Sequence, residues 1–140
     1  MQFADDLIRR MNTNSLYQTI GIRLESAADG SAESILEPRP NTCWPFEKQP
    51  HGGMLFTLMD TTMAWAIQSK LESGFSCTTI DLGIRYIMPA RGGKFHCRAQ
   101  TIHQTGRLSF VHADITDAGD QVIATGQATF RIIKMDFISI

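Results

Sequence analysis

The chain has 140 residues, 43% of them hydrophobic, with 13 Lys+Arg against 14 Asp+Glu and a formal charge of −1. That length and apolar share predict one domain over residues 1–140 with a single core. The near-neutral balance excludes a protein held to nucleic acid by a broad basic surface.

The 3 cysteines, Cys43, Cys77 and Cys97, form no CxxC pair. They fit neither a disulfide framework nor a cysteine-rich zinc site, and such usage points to a reducing, cytoplasmic setting. The N-terminus carries early acids and no apolar run, so it does not read as a secretory signal. The longest mostly apolar stretch, 54–67, is broken by Thr57, Asp60, Thr61 and Thr62. It is too short and too polar for a bilayer, and no membrane partner is expected.

In chain order, Phe3, Leu7, Ile8 and Met11 recur at helical spacing and predict a short amphipathic N-terminal helix. Ile20, Ile22 and Leu24 alternate with polar residues or glycine and predict a strand. Turn chemistry at 28–31 (ADGS) leads into a second strand over 32–37. A loop containing Pro38, Pro40 and Pro45 follows and ends at Pro50. The next segment, HGGMLFTLMDTTMAWAIQSKLES, has two glycines and then no Gly or Pro until its end. It predicts a helix of about four to five turns, apolar nearly all round and therefore buried on most sides.

Four alternating segments come next, centred on Ile84, Ala99, Ala113 and Gly126. Short Gly-rich connections separate them, which predicts mostly antiparallel neighbours. One buried helix and five to six strands leave one economical arrangement. It is an α+β hotdog fold, with a curved antiparallel sheet wrapped around a central helix.

Within that helix Asp60 is the only charge before Lys70. A carboxylate on a largely apolar helix must be paired or hydrogen-bonded. Thr57, Thr61, Ala64 and Gln68 share its side of the helix. The residue reads either as a structural carboxylate bonded at an interface or as a general base or nucleophile shielded from bulk water. At the helix start, His51-Gly52-Gly53 combines unpaired N–H groups, backbone that a ligand can approach, and the positive end of the helix dipole. Such a start can polarise a carbonyl, or it can simply be a tight turn.

Gly52 and Asp60 stand about 12 Å apart along one helix at 1.5 Å per residue. An attacking group must come within about 3 Å of its carbon. If both are catalytic, the site joins Gly52 of one chain to Asp60 of another, and the protein is a homo-oligomer, a dimer or a dimer of dimers.

His51-Gly52-Gly53 with its spacing to Asp60, Thr79-x-Asp81-Leu82, Tyr86-x-x-Pro89-Ala90, and the stretches 106–110 and 124–126 together resemble the hotdog-fold acyl-CoA thioesterases. Within these the chain looks most like the phenylacetic-acid-degradation (PaaI-like) subgroup, over roughly residues 20–133. The resemblance implies hydrolysis of an acyl-CoA thioester. Asp60 would be the nucleophile or general base, and the Gly52 N–H would polarise the carbonyl. His51 and Gly53 would shape that carbonyl site, and Thr79 would position Asp60 or a water. No metal and no separate cofactor are implied, since coenzyme A arrives as part of the substrate.

Many relatives carry an Asn six residues before the His, where this chain has Pro45; Asn41, Glu47 or Gln49 could take that role. Trp44 and Phe46 fit either an acyl pocket or a cover over the helix end. Arg91, Lys94 and Arg107 are candidates for the coenzyme A phosphates, or solvated loop charges. His96, His103 and His112 lack ligand-like spacing. The Pro45 departure keeps a second reading open, a non-catalytic module that binds acyl-CoA. A hydratase or dehydratase ranks last, because the loop around His51 does not resemble those enzymes.

Overall fold

The computed structural model describes residues 1–46 and 49–135, and Glu47 lies outside the described residues. Two short helices, α1 (Asp5–Met11) and α2 (Ser15–Ile20), precede strands β1 (Ile22–Ala28) and β2 (Ser31–Leu36). A 3₁₀ turn at Pro40–Thr42 leads to the long helix α3 (Gly52–Gln68). The chain then runs through β3 (Phe75–Tyr86), β4 (Phe95–Gln104), β5 (Leu108–Thr116) and β6 (Val122–Lys134). The six strands make one sheet in the order β1-β2-β4-β5-β6-β3, antiparallel at every pairing.

Two features differ from the sequence-based expectation. The alternation at Ile20, Ile22 and Leu24 does not begin a strand at Ile20. That residue closes α2, and Gly21 at φ +98° ends the helix. A side chain at Gly21 would run into the Glu37 carbonyl. The signals were present: the Asn14 side chain accepts from the Leu16 N–H as an N-cap, Leu16, Tyr17 and Ile20 follow at helical spacing, and glycine stands at the end. Second, 89–93 is not a hairpin. β3 pairs with β6 at the far edge, while β4 joins β2 and β5. The connection crosses from one side of the sheet to its middle because the sheet must curl round α3 and bring strands from both chain halves against it.

Helix α3 is the axis of the core. Leu58, Met59, Met63, Ala66 and Ile67 are fully buried against sheet residues that include Leu36, Phe95, Val111, Ile115 and Phe130. Hydrophobic burial on this scale, about 25 cal/mol per Å², holds the helix to the sheet. Packing is closest where Met59 crosses β6. A Cβ at Gly126 would run into the Met59 sulfur and stand 2.8 Å from the Gly83 carbonyl.

Among the described residues, one stripe of α3 is left uncovered. Thr57, Asp60, Thr61 and Ala64 are half-buried, and Phe56 is 37% exposed. Alongside it, β3 is an edge strand of 12 residues, mostly exposed. A bulge between Thr79 and Asp81 turns Ile80 outward. No helix among the described residues is long and apolar enough to cross a membrane.

Candidate active site

The predicted residues fall into two groups at different heights of α3. The first surrounds the helix start. The His51 Nδ1 accepts the Gly53 N–H at 2.9 Å, so His51 caps the helix. With Nδ1 accepting, the ring proton sits on Nε2, which leaves an N–H donor at the site. The same bond occupies the Gly53 amide. The Gly52 N–H, at the first helical position, has no intrahelical acceptor. Tyr86 at the end of β3 completes the group: its hydroxyl donates to the Gly52 carbonyl at 2.7 Å. Its ring lies 3.3 Å from where a Cβ of residue 52 would be, so a side chain there would crowd the ring. Sequence reasoning placed Tyr86 in a motif without giving it a role; the contact joins residues 34 apart.

The loop before the helix packs on this group. The Trp44 and His51 rings are 4.9 Å apart, and Phe46 stacks on Trp44 at 5.9 Å. The loop is tied down by the Trp44 N–H on the Gln49 carbonyl and the His51 N–H on the Thr42 carbonyl. Asn41, Trp44 and Pro45, with Gly92 and Gly93, line a groove of about 810 Å³. Arg91 and Lys94 flank those glycines on the exposed 91–94 segment.

The second group lies two turns along the helix. The Thr79 Oγ1 donates to the Asp60 Oδ1 at 2.7 Å. This settles how the lone carboxylate is tolerated: one oxygen has a partner and the side faces the open stripe, not the core. Beside Asp60 is a smaller recess of about 280 Å³, walled by α2, α3 and β3. Cys77 in its wall has its thiol pushed up to about 12 by burial and, to a lesser degree, by the Asp60 charge. The thiol therefore stays protonated and is not a nucleophile.

The structure brings His51, Gly52, Gly53 and Trp44 together, and Asp60 with Thr79, but it does not unite the two groups in one chain. It also separates Arg107 from Arg91 and Lys94. Arg107 precedes the start of β5, level with the far end of β4, and Lys94 precedes the near end of β4. A strand of 10 residues at about 3.3 Å each lies between them. His112 contacts Asp114 at 3.2 Å and His103 stacks on Phe110. Among the described residues no group of three or more His, Cys, Asp or Glu side chains could hold a metal ion.

A central helix capped by His-Gly-Gly, wrapped by a six-stranded sheet and carrying one threonine-bonded aspartate on its open flank, defines a hotdog-fold thioester hydrolase. The Thioesterase superfamily pattern matches residues 50–124, more than half of the chain, and the chain belongs to that family. A Halobacterium salinarum protein provisionally named as an esterase is 29% identical over 135 residues, 90% of this chain and 89% of its own. The Escherichia coli PaaI protein from the phenylacetic acid degradation operon superposes with a TM-score of 0.81 at 21% identity, over 91% of each chain. A Bacillus halodurans protein solved with CoA does so at 0.78 and 26%, over 89% of this chain and 80% of that one. The PaaI-like likeness read from the sequence thus holds in the fold.

Proposed function

We propose that the protein hydrolyses the thioester of a small aryl- or fatty-acyl-CoA in a site shared by two chains. The observation that carries this is the Thr79–Asp60 hydrogen bond on the uncovered stripe of an otherwise buried helix. The bond fixes one carboxylate oxygen and leaves the other to act, either on the carbonyl carbon or on a water. The Gly52 N–H of the second chain receives the charge that develops on the carbonyl oxygen, helped by the helix dipole. The His51 Nε2–H is a second donor beside it, and Gly53 serves by anchoring His51.

The open edge of β3 supports the pairing. Asp60 is level with Thr79, and Gly52 is level with Tyr86. Two antiparallel β3 strands centred between Leu82 and Gly83 set Thr79 of each opposite Tyr86 of the other. Each Asp60 then faces the other chain's helix start. The same antiparallel pairing carries one chain's Arg107 end to the other's Arg91 and Lys94 end, where three cations can meet the coenzyme A phosphates. The groove lined by Asn41 and Trp44 suits the pantetheine arm, with Phe46 braced behind Trp44.

The test is thiol release from a panel of acyl-CoAs by wild type, Asp60→Ala and His51→Ala, singly and mixed. Each variant alone should be inactive or nearly so. Chains co-refolded in equal amounts should recover about a quarter of wild-type activity, since half of the dimers then hold one intact site of two. No recovery from folded, mixed dimers counts against a shared site. Saturable acyl-CoA binding with no thiol release by wild type would favour the binding module, the reading that Pro45 at the family's Asn position supports.

A further inference from the structure

We propose that β3 selects a second copy of this chain through a self-complementary segment, Asp81-Leu82-Gly83-Ile84-Arg85. Asp81 of each chain pairs with Arg85 of the other. The two ion pairs set the register in which Asp60 meets the opposite helix start, so Asp81 and Arg85 are positioning residues. The pairing rests on the reading that two chains share the site along β3, and it fixes their alignment.

Three observations carry it. The first is the bulge. Thr79 pairs with Phe130 and Asp81 with Thr129, so Ile80 has no partner on β6 and drops out of the alternation. Thr79 and Tyr86 turn towards α3, where they bond Asp60 and Gly52. Between them, half-buried Leu82 and Ile84 keep to the helix side, and Asp81, Gly83 and Arg85 lie on the outer face of the sheet. Residues directly opposite in an antiparallel pair share a face. Leaving Ile80 out moves the centre of the pairing from between Leu82 and Gly83 onto Gly83 itself. Thr79 still stands opposite Tyr86, and now every face agrees. Asp81 meets Arg85 outside, Leu82 meets Ile84 inside, and Gly83 meets its own copy on the two-fold axis.

The second observation is the state of the two charges. Both are exposed, and among the described residues neither has an ion-pair or hydrogen-bond partner. The residues beside them on β6 are Thr129 and Thr125, which carry no charge. Within one chain about 13 Å of strand separates Asp81 from Arg85. Across the pairing the opposite charge is about 5 Å away at Cβ.

The third is Gly83. Its backbone is outside the left-handed region, and a Cβ there would meet nothing within 4 Å, so one chain alone does not require glycine. It clears a hollow of about 380 Å³ lined also by Arg85, Thr125 and Gln127. Beside a two-fold axis that hollow gives both guanidinium groups room to turn to the other chain. The charges also reject wrong registers. Slips that set Asp81 opposite Asp81, or Arg85 opposite Arg85, bring like charges face to face. A slip must move by two residues to keep its faces, which carries Thr79 about 7 Å from Tyr86 and takes the site apart.

The test is charge exchange, read by sedimentation velocity and by thiol release. Asp81→Arg and Arg85→Asp each place like charges at both pairs of a homodimer. Each should keep its circular dichroism spectrum, raise the dimer Kd by about tenfold or more, and lose turnover as the dimer is lost. Mixed in equal amounts, the two variants have opposite charges at both pairs. They should form heterodimers in preference to either homodimer, with dimer Kd and kcat near wild type. The double variant Asp81→Arg/Arg85→Asp should pair with itself and not with wild type, seen by native mass spectrometry of isotope-labelled chains. Single variants that dimerise as wild type does, or mixed and double variants that recover nothing, overturn the charge pairing. Complementation between chains altered at Asp60 and at His51 would then keep the shared site without it. A wild type that stays monomeric while hydrolysing acyl-CoA removes both.

Discussion

The start of α3 and its middle are built in opposite ways. At the start, three consecutive residues supply cap, ring donor and free amide, and they need only one distant contact, from Tyr86. In the middle, Asp60 is one residue on a helix, and everything that gives it a role comes from elsewhere: Thr79 on β3 and, in the proposed dimer, a second chain. A local device tolerates change around it and fails only when its own residues change. A composite device fails whenever any contributing element moves.

The comparison predicts unequal losses. Asp60→Ala should lower kcat by about 10²–10⁴-fold with little change in melting temperature, since the side chain faces the open stripe; single-turnover rates beside a thermal melt check this. An active, folded Asp60→Ala protein would erase the distinction between the two regions. Thr79→Ala should cost about tenfold in kcat by freeing the carboxylate, and Thr79→Ser should restore most of it. Tyr86→Phe should cost only a few-fold, because the exposed hydroxyl fixes a turn that His51 already caps. A larger loss from Tyr86→Phe than from Thr79→Ala would reverse the order and make the helix start the more demanding region.

The smallest effect is on stability in alkali. Cys77 and Cys97 both have thiols raised from 9.0 to about 12, chiefly by burial. Above pH 9 the unfolded chain loses these protons while the folded chain keeps them. The stability they contribute is complete below pH 9 and falls away as pH rises towards 12. Melting temperature should decline through that window, and less steeply in Cys97→Ala than in wild type.

The two regions also differ in how far they could be read from the sequence. His51, Gly52 and Gly53 announce themselves because their chemistry depends on neighbours in the chain. Asp60 stood out as a charge on an apolar helix, and Thr79 through a motif on the next strand. Tyr17, in the wall of the recess beside Asp60, gave no such sign. Residues 15–19 of the helix bearing it show no pattern that stands out, and its last residue reads with the following strand, since Ile20, Ile22 and Leu24 keep the same alternation on either side of Gly21. Its partner Trp65 is 48 residues away. The placement of β3 beside β6 was equally hidden, because a short connection states proximity in the chain and not which edge a strand joins. Local caps and periodicities are written in sequence; the convergence of α2, α3 and β3 on one recess is a property of the curled sheet.

The wedge of Met59 against Gly126 bears on how this protein can change over time. Met59 immediately precedes Asp60, and any side chain at position 126 meets the buried end of Met59 and, 2.8 Å away, the Gly83 carbonyl on β3, the strand that carries Thr79. Lineages can vary Leu16, Ala64 or the loop around Trp44, which are exposed or half-buried, at modest cost. They cannot vary Gly126 as freely, where even a methyl group would crowd Met59 and the Gly83 carbonyl and so disturb the alignment of Asp60 with Thr79. A saturation library at that codon should return almost only glycine among active clones.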